Sequence, residues 1–329
     1  MNMFKTKTLL ASAVFGLAIS AGPAQADLFA TSKLVIDNFL VLGSDGNVLD
    51  YDTDFTSLSF TNSADMDGSL TGTAGFNYSE PNSTGDIDFP DGGVNCLSTT
   101  GDCNPIAPDN SFPFMTGPQG TDFVAADQKL VGTPILNLPG FTQLGVDANQ
   151  AAYGNLSTTV AEGSANVNNA LESNWTFSLA QATGMTFTGD ITTYLEAFAS
   201  AGELAPGKAS ASTTFEITIT NLQTGQIVFD SNNIAAFDLL NETTSTNAND
   251  FPVDIQTCGN LAGLPGGCGT ELFVPGFAVT TDPLLADTLY QLSIRSNANI
   301  DIARVVPEPA MLGTLGLGLL GMFLSRRRG

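Results

Sequence analysis

The chain has 329 residues, with 33 Asp and Glu against 10 Lys and Arg and no histidine, for a formal net charge of −23. Without histidine there is no Ser-His-Asp or Cys-His catalytic apparatus and no His-ligated zinc or haem iron. So acidic a chain also lacks the basic footprint that nucleic acid requires, and it suits an anionic lipid surface no better. In chain order, Met1 to Ala26 reads as a secretory signal. Lys5 and Lys7 supply the positive start, Leu9 to Ala21 a short apolar stretch, and Ala24-Gln25-Ala26 the small-x-small cleavage pattern. Cleavage there makes Asp27 the first mature residue and implies the secretion translocon and signal peptidase as partners.

Leu34 to Leu42 is apolar almost throughout and reads as a central strand. Residues 44–139 are crowded with Asp, Gly, Asn and Pro, which predicts long acidic loops and short strands. Residues 143–174 fit two patterns. Tyr153, Leu156, Val160, Val167 and Leu171 approach helical spacing, whereas Gly154, Gly163 and the alternation of small with polar residues favour strands. The strand reading is preferred.

From residue 170 onward alternation dominates. Trp175, Phe177 and Leu179 share one face of a strand, as do Phe215, Ile217 and Ile219. Asn221 to Gly225 then turns into Ile227-Val228-Phe229, predicting a hairpin. Tyr290, Leu292 and Ile294, then Ile300 and Ile302, continue the pattern to Arg304. The fold class expected is all-β: an antiparallel sandwich, jelly-roll-like or immunoglobulin-like, occupying 27–305 with its main strands in 170–305.

Four cysteines, Cys96, Cys103, Cys258 and Cys268, are an even set in an exported chain and predict disulfides. Of three pairings, Cys96–Cys103 with Cys258–Cys268 is preferred, because each pair brackets a Gly/Pro/Asp-rich turn. A four-cysteine metal site is disfavoured by spacing that departs from the tight zinc knuckle. Carboxylates are the plentiful functional groups. Ser63-Ala64-Asp65-Met66-Asp67-Gly68-Ser69-Leu70 partly imitates a calcium loop, with Asp65 and Asp67 as ligands, but position twelve is Ala74 where a bidentate Glu belongs. Asp50, Asp52 and Asp54, and Asp86, Asp88 and Asp91, form two further acidic clusters on expected loops. A carboxylate pair could hydrolyse glycosides, yet the chain has one Trp and five Tyr to wall a sugar site. Trp175, inside an alternating apolar set, reads as core. No catalytic residue and no required cofactor emerge, and Ca²⁺ is the ion that the carboxylates suit.

At the far end, Val306-Pro307-Glu308-Pro309 precedes Ala310 to Leu324, fifteen uncharged residues, and then Arg326, Arg327 and Arg328. The apolar stretch reads as a single short membrane-spanning helix extended by snorkelling arginines, with the arginines cytoplasmic. Motif, span and basic end in that order, over 306–329, resemble the PEP-CTERM sorting signal of bacteria that make exopolysaccharide. The resemblance implies an exosortase, a membrane processing enzyme, as partner, with Pro307, Glu308 and Pro309 recognised. The alternative is an ordinary tail anchor in the inner membrane. The whole layout also resembles, more diffusely, exosortase-dependent surface proteins of the EDSAP type, which implies a secreted or surface protein and supplies no catalytic residues.

The expectation is therefore a non-enzymatic exported protein, sorted to the cell surface or extracellular matrix and associated with exopolysaccharide. A calcium-assisted carbohydrate-binding module and a carboxylate-based glycoside hydrolase are the alternatives.

Overall fold

A computed structural model describes residues 27–81, 94–101, 110, 112–113, 115, 120–157, 163–199, 207–234, 242–247 and 267–304. These residues form thirteen strands and one short helical turn of each kind. The strands are β1 (Leu28–Leu42), β2 (Phe55–Leu70), β3 (Phe76–Pro81), β4 (Asn95–Ser98), β5 (Phe123–Val131), β6 (Val146–Leu156) and β7 (Gly163–Leu179). They continue with β8 (Thr186–Ala199), β9 (Gly207–Asn221), β10 (Gln226–Asp230), β11 (Glu242–Asn247), β12 (Gly267–Thr280) and β13 (Tyr290–Arg304). Helix α1 is the single turn Tyr51–Asp54, and Ser231–Asn233 is a 3₁₀ turn.

All strand pairings are antiparallel and fall into two sheets. One runs β12-β8-β1-β6-β5-β4, the other β10-β9-β13-β7-β2-β3 with β11 beside the first half of β9. β1 is central, as its largely apolar run implies, and β13 is central in the second sheet, between β7 and β9. The predicted hairpin forms between β9 and β10, with a register shift that carries Ile227 outward and Phe229 inward. Among the described residues of 143–174, Val146–Leu156 form β6 and residues from Gly163 onward belong to β7. Gly154 suits that, because a side chain there would run into the Cδ1 atom of Ile300.

The expectation of long loops across 44–139 needs correction. β2 is a 16-residue strand inside that segment, and β5 a 9-residue one. The acid-rich stretch hides a period of two. Ala64, Met66 and Leu70 face inward while Asp65, Asp67 and Ser69 face water. Gly68, which looked like a loop glycine, lies under the Phe76 ring of the neighbouring strand. An aromatic laid over a strand glycine covers backbone that a side chain would otherwise protect.

The two sheets bury their inner faces against each other, since each of two apolar clusters draws side chains from both. One is large and aromatic, built around Phe39, Phe187, Phe215 and Phe277. The other is small-sided, built from Leu28, Ala30, Ala126, Ala152, Ala165, Ile300 and Ile302. Between them runs a polar layer. Ser32, Gln128, Gln150, Thr193, Asn169, Thr213 and Ser296 are all buried, and all but Ser296 stand between an inward residue of one cluster and an inward residue of the other. Gln150 Nε2 donates to the carbonyl oxygens of Asn169 and Ser296. Asn169 Nδ2 donates to those of Asp127 at 2.8 Å and Ala151 at 3.0 Å. Ser32 Oγ donates across the gap to Ser212 O at 2.6 Å. Buried amides and hydroxyls cost free energy unless bonded, so this layer favours one register of the sheets over its slipped alternatives.

A line of bulges crosses the first sheet. Register shifts occur between Ile36 and Phe39, Asp37 and Leu40, and Val274 and Phe277, with Asn38 at φ 54° and Gly276 at φ 57°. A bulge re-aims the side chains beyond it. Here Phe39 and Phe277 both turn into the core, where their rings stack at 6.2 Å.

Candidate functional site

The sorting motif Val306 to Pro309, the arginines 326–328 and the span 310–324 lie outside the described residues, as do Ala24 and Ala26 of the cleavage pattern. No helix among the described residues is long and apolar enough to cross a membrane. Asp27 is half-buried at the head of β1. Cys96 lies on β4 and is disulfide-bonded. Cys268 lies on β12, and its proposed partner Cys258, like Cys103, is outside the described residues.

The calcium-loop reading of 63–70 does not survive in the geometry. In an extended strand Ser63, Asp65 and Asp67 project in a line from one face, whereas a calcium loop wraps its oxygens around a point. Asp67 instead accepts a hydrogen bond from Asn168 Nδ2 at 3.0 Å, next door on β7. Asp50, Asp52 and Asp54 serve their own turn. Asp50 caps α1 by accepting from the Asp52 backbone N–H, and Asp54 accepts from the Asp50 N–H. Asp86, Asp88 and Asp91 lie outside the described residues. Among the described residues no three of His, Cys, Asp and Glu are placed to hold a metal.

Three carboxylates that the sequence did not single out gather at the bulge line. Asp190 of β8 stands opposite Asp37 of β1, and Asp147 of β6 accepts from the Asn38 N–H beside it. Two of the three have a neutral tie, Asp190 from the Gly276 N–H at 2.7 Å and Asp147 from Gln143 Nε2 at 2.9 Å. Burial raises the Asp37 carboxyl above its ordinary 3.8, and the charges of Asp147 and Asp190 raise it further, against a smaller lowering by Lys33. A raised folded-state pKa means that stability is lost as pH climbs from the ordinary value through the folded one. Asp37→Asn is therefore expected to melt at a higher temperature than the parent at pH 7, the gap closing below the ordinary carboxylate range. An equal or lower melting temperature at neutral pH would contradict this.

A cleft of ≈ 70 Å³ opens between the sheets beside the aromatic cluster. Its walls include Phe39, Phe60, Phe141, Trp175 and Phe215, and the 132–145 loop closes one side. That loop is pinned at its neck by Thr133 N to Gln143 O and Gly145 N to Thr133 O. Gly132 sits at φ +89°, where a Cβ would collide with the Gly145 carbonyl, so the neck needs glycine. Trp175 is core, as the alternation implies, with its indole N–H held by Ser173 Oγ at 2.9 Å. Glu172 belongs to the wall, but Arg295 Nε and Nη2 both bind its Oε1, at 3.0 and 2.9 Å. The cleft thus joins an apolar lining to a carboxylate already engaged, an arrangement suited to an apolar group rather than to acid–base work on a sugar.

The outer face of the second sheet carries ordered rows of polar side chains. Ser69, Asn166, Asp301 and Ser210 form one cross-strand row, Asp67, Asn168, Asn299 and Ser212 the next, and Asp65, Ala170, Asn297 and Thr214 a third. Asn297 Nδ2 donates to Thr214 Oγ1 at 2.7 Å within it.

Residues 305–328 fit the family model of the PEP-CTERM protein-sorting motif. No curated protein and no solved structure matches the chain. The chain thus carries, directly after β13, the motif of exported proteins that an exosortase sorts at the membrane, as the order of Pro-Glu-Pro, apolar stretch and arginines implied.

Proposed function

We propose that the β body is the non-enzymatic cargo of this sorting signal, a β-sandwich delivered to the cell surface or extracellular matrix, where it associates with exopolysaccharide. The observation that carries the reading is the match at 305–328, immediately beyond an all-β body whose last strand ends at Arg304. The Asn/Ser/Thr rows on the second sheet support the polysaccharide association, since amides and hydroxyls at the strand spacing can exchange hydrogen bonds with sugar hydroxyls without a deep pocket. The net charge of −23 supports a soluble, self-repelling extracellular life.

The test is the double substitution Pro307→Ala, Glu308→Ala in the full chain, followed in the native cell by fractionation and intact mass. The parent is expected at the surface or in the medium without its arginine tail. The variant is expected at full length in the inner membrane. The same mass and distribution for both would overturn the reading.

A further inference from the structure

The cleft between the sheets contains a side chain that packing alone does not account for. Alternation along β2 turns Phe60, Asn62 and Ala64 inward, and Asn62, 6 % exposed, stands in the cleft wall. Its amide has no hydrogen-bond partner among the described residues. A buried amide left unbonded is costly, whereas an apolar side chain there would be free of that cost. An amide kept at the edge of an open space is therefore placed to bond something that enters it.

Directly across from Asn62, on β7, is Ser173, which also lines the cleft. Opposite side chains of neighbouring strands start about 5 Å apart, close enough to share one atom between them. Ser173 Oγ accepts from the Trp175 indole N–H at 2.9 Å, which leaves its own hydrogen to donate. Asn62 Nδ2 is a second donor beside it. Phe60 stands opposite Trp175, and the Phe141 ring of the 132–145 loop lies 5.9 Å from that of Phe60. Two donors side by side thus face a space walled by aromatic rings. Size narrows the ligand further. At ≈ 70 Å³ the cleft is about half of the roughly 150 Å³ that accepts benzene, so it admits about three or four non-hydrogen atoms. A sugar ring or a lipid chain is too large, but a methyl group with a carbonyl fits.

We propose that the cleft binds the acetyl substituent of a sugar. The methyl group packs against Phe60, Phe141 and Trp175, and the acyl oxygen accepts from Asn62 Nδ2 and the Ser173 hydroxyl. The sugar ring itself remains at the mouth. An acetamide and an acetate ester present the same methyl and the same oxygen, so either linkage supplies the group. The sugar comes from the polysaccharide association proposed above, on which this assignment rests, and acetylation is what the cleft adds to it.

Trp175 is the chain's one tryptophan, so its fluorescence reports directly on the cleft. The full chain, kept in solution with amphipol, is titrated with triacetylchitotriose, with cellotriose and with mono-O-acetylated cellotriose. The first two are neutral and differ in carrying acetamido groups or hydroxyls at the same position. The triacetyl trimer is expected to shift the emission saturably and to bind at least about tenfold more tightly than cellotriose, as a buried methyl and a hydrogen bond together imply. A response to the O-acetylated trimer as well assigns the site to both linkages. Asn62→Leu is expected to melt at a higher temperature than the parent and to lose the response, because it removes the unbonded amide and fills the cleft. Asn62→Ala, which adds no bulk, is expected to weaken binding about tenfold. Equal affinity for triacetylchitotriose and cellotriose, or an undiminished response in both Asn62 variants, would overturn the site. Retention of the parent on exopolysaccharide from the native cell decides the association separately, so either reading can fail while the other stands.

Discussion

Phe215→Ala is expected to lower the free energy of unfolding by about 3–5 kcal/mol, the range for a fully buried phenylalanine. The ring comes from β9 of one sheet and meets two rings of the other edge-on, Phe39 at 6.4 Å and Phe277 at 6.3 Å. Its loss removes aromatic contacts that join the layers as well as buried area. The position also borders the existing ≈ 70 Å³ cleft. The new void would merge with that space, and a site already under-filled has little to collapse with, which places the cost at the upper end of the range. Urea unfolding followed by circular dichroism measures it. A change under about 1 kcal/mol, the centre of the distribution for point mutants, would show that the layers are not joined there.

Asn169→Ala should cost about 2–4 kcal/mol although it removes little apolar surface. Its amide donates to two carbonyls on different strands, Asp127 on β5 and Ala151 on β6, and lies beside the Gln150 amide. A single bond contributes about 1 kcal/mol, but leaving buried partners unsatisfied adds about 1–3 kcal/mol more. The same urea titration gives the number. A loss below about 0.5 kcal/mol would mean that water replaces the side chain and that the polar layer is not a dry fastening.

What could be read in advance follows physical lines. Phe215, Ile217 and Ile219 announced their strand because one face is apolar and the other Thr and Glu, and Tyr290 to Ile302 did the same. β2 was missed because its outward residues are Asp and Ser and its inward ones Ala, Met and Gly, a contrast too small to outweigh the turn chemistry of Asp-Gly. The tail was legible because its signal is linear in the chain. The Asp37, Asp147 and Asp190 group was not, since it is assembled by register from three strands.

Arg304 closes β13 with its guanidinium buried, Nη1 donating to Ser157 O at 2.7 Å and Nη2 to Leu156 O at 3.3 Å. The sorting motif begins at the very next residue. Three residues of extended chain reach at most about 10 Å, so Pro307 can never stray further than that from a fixed point on the body. Whatever acts on the motif must accordingly accommodate a folded β body within that reach. Because β13 is a middle strand of its sheet, between β7 and β9, that body is complete only once the chain up to the motif has joined the sheet.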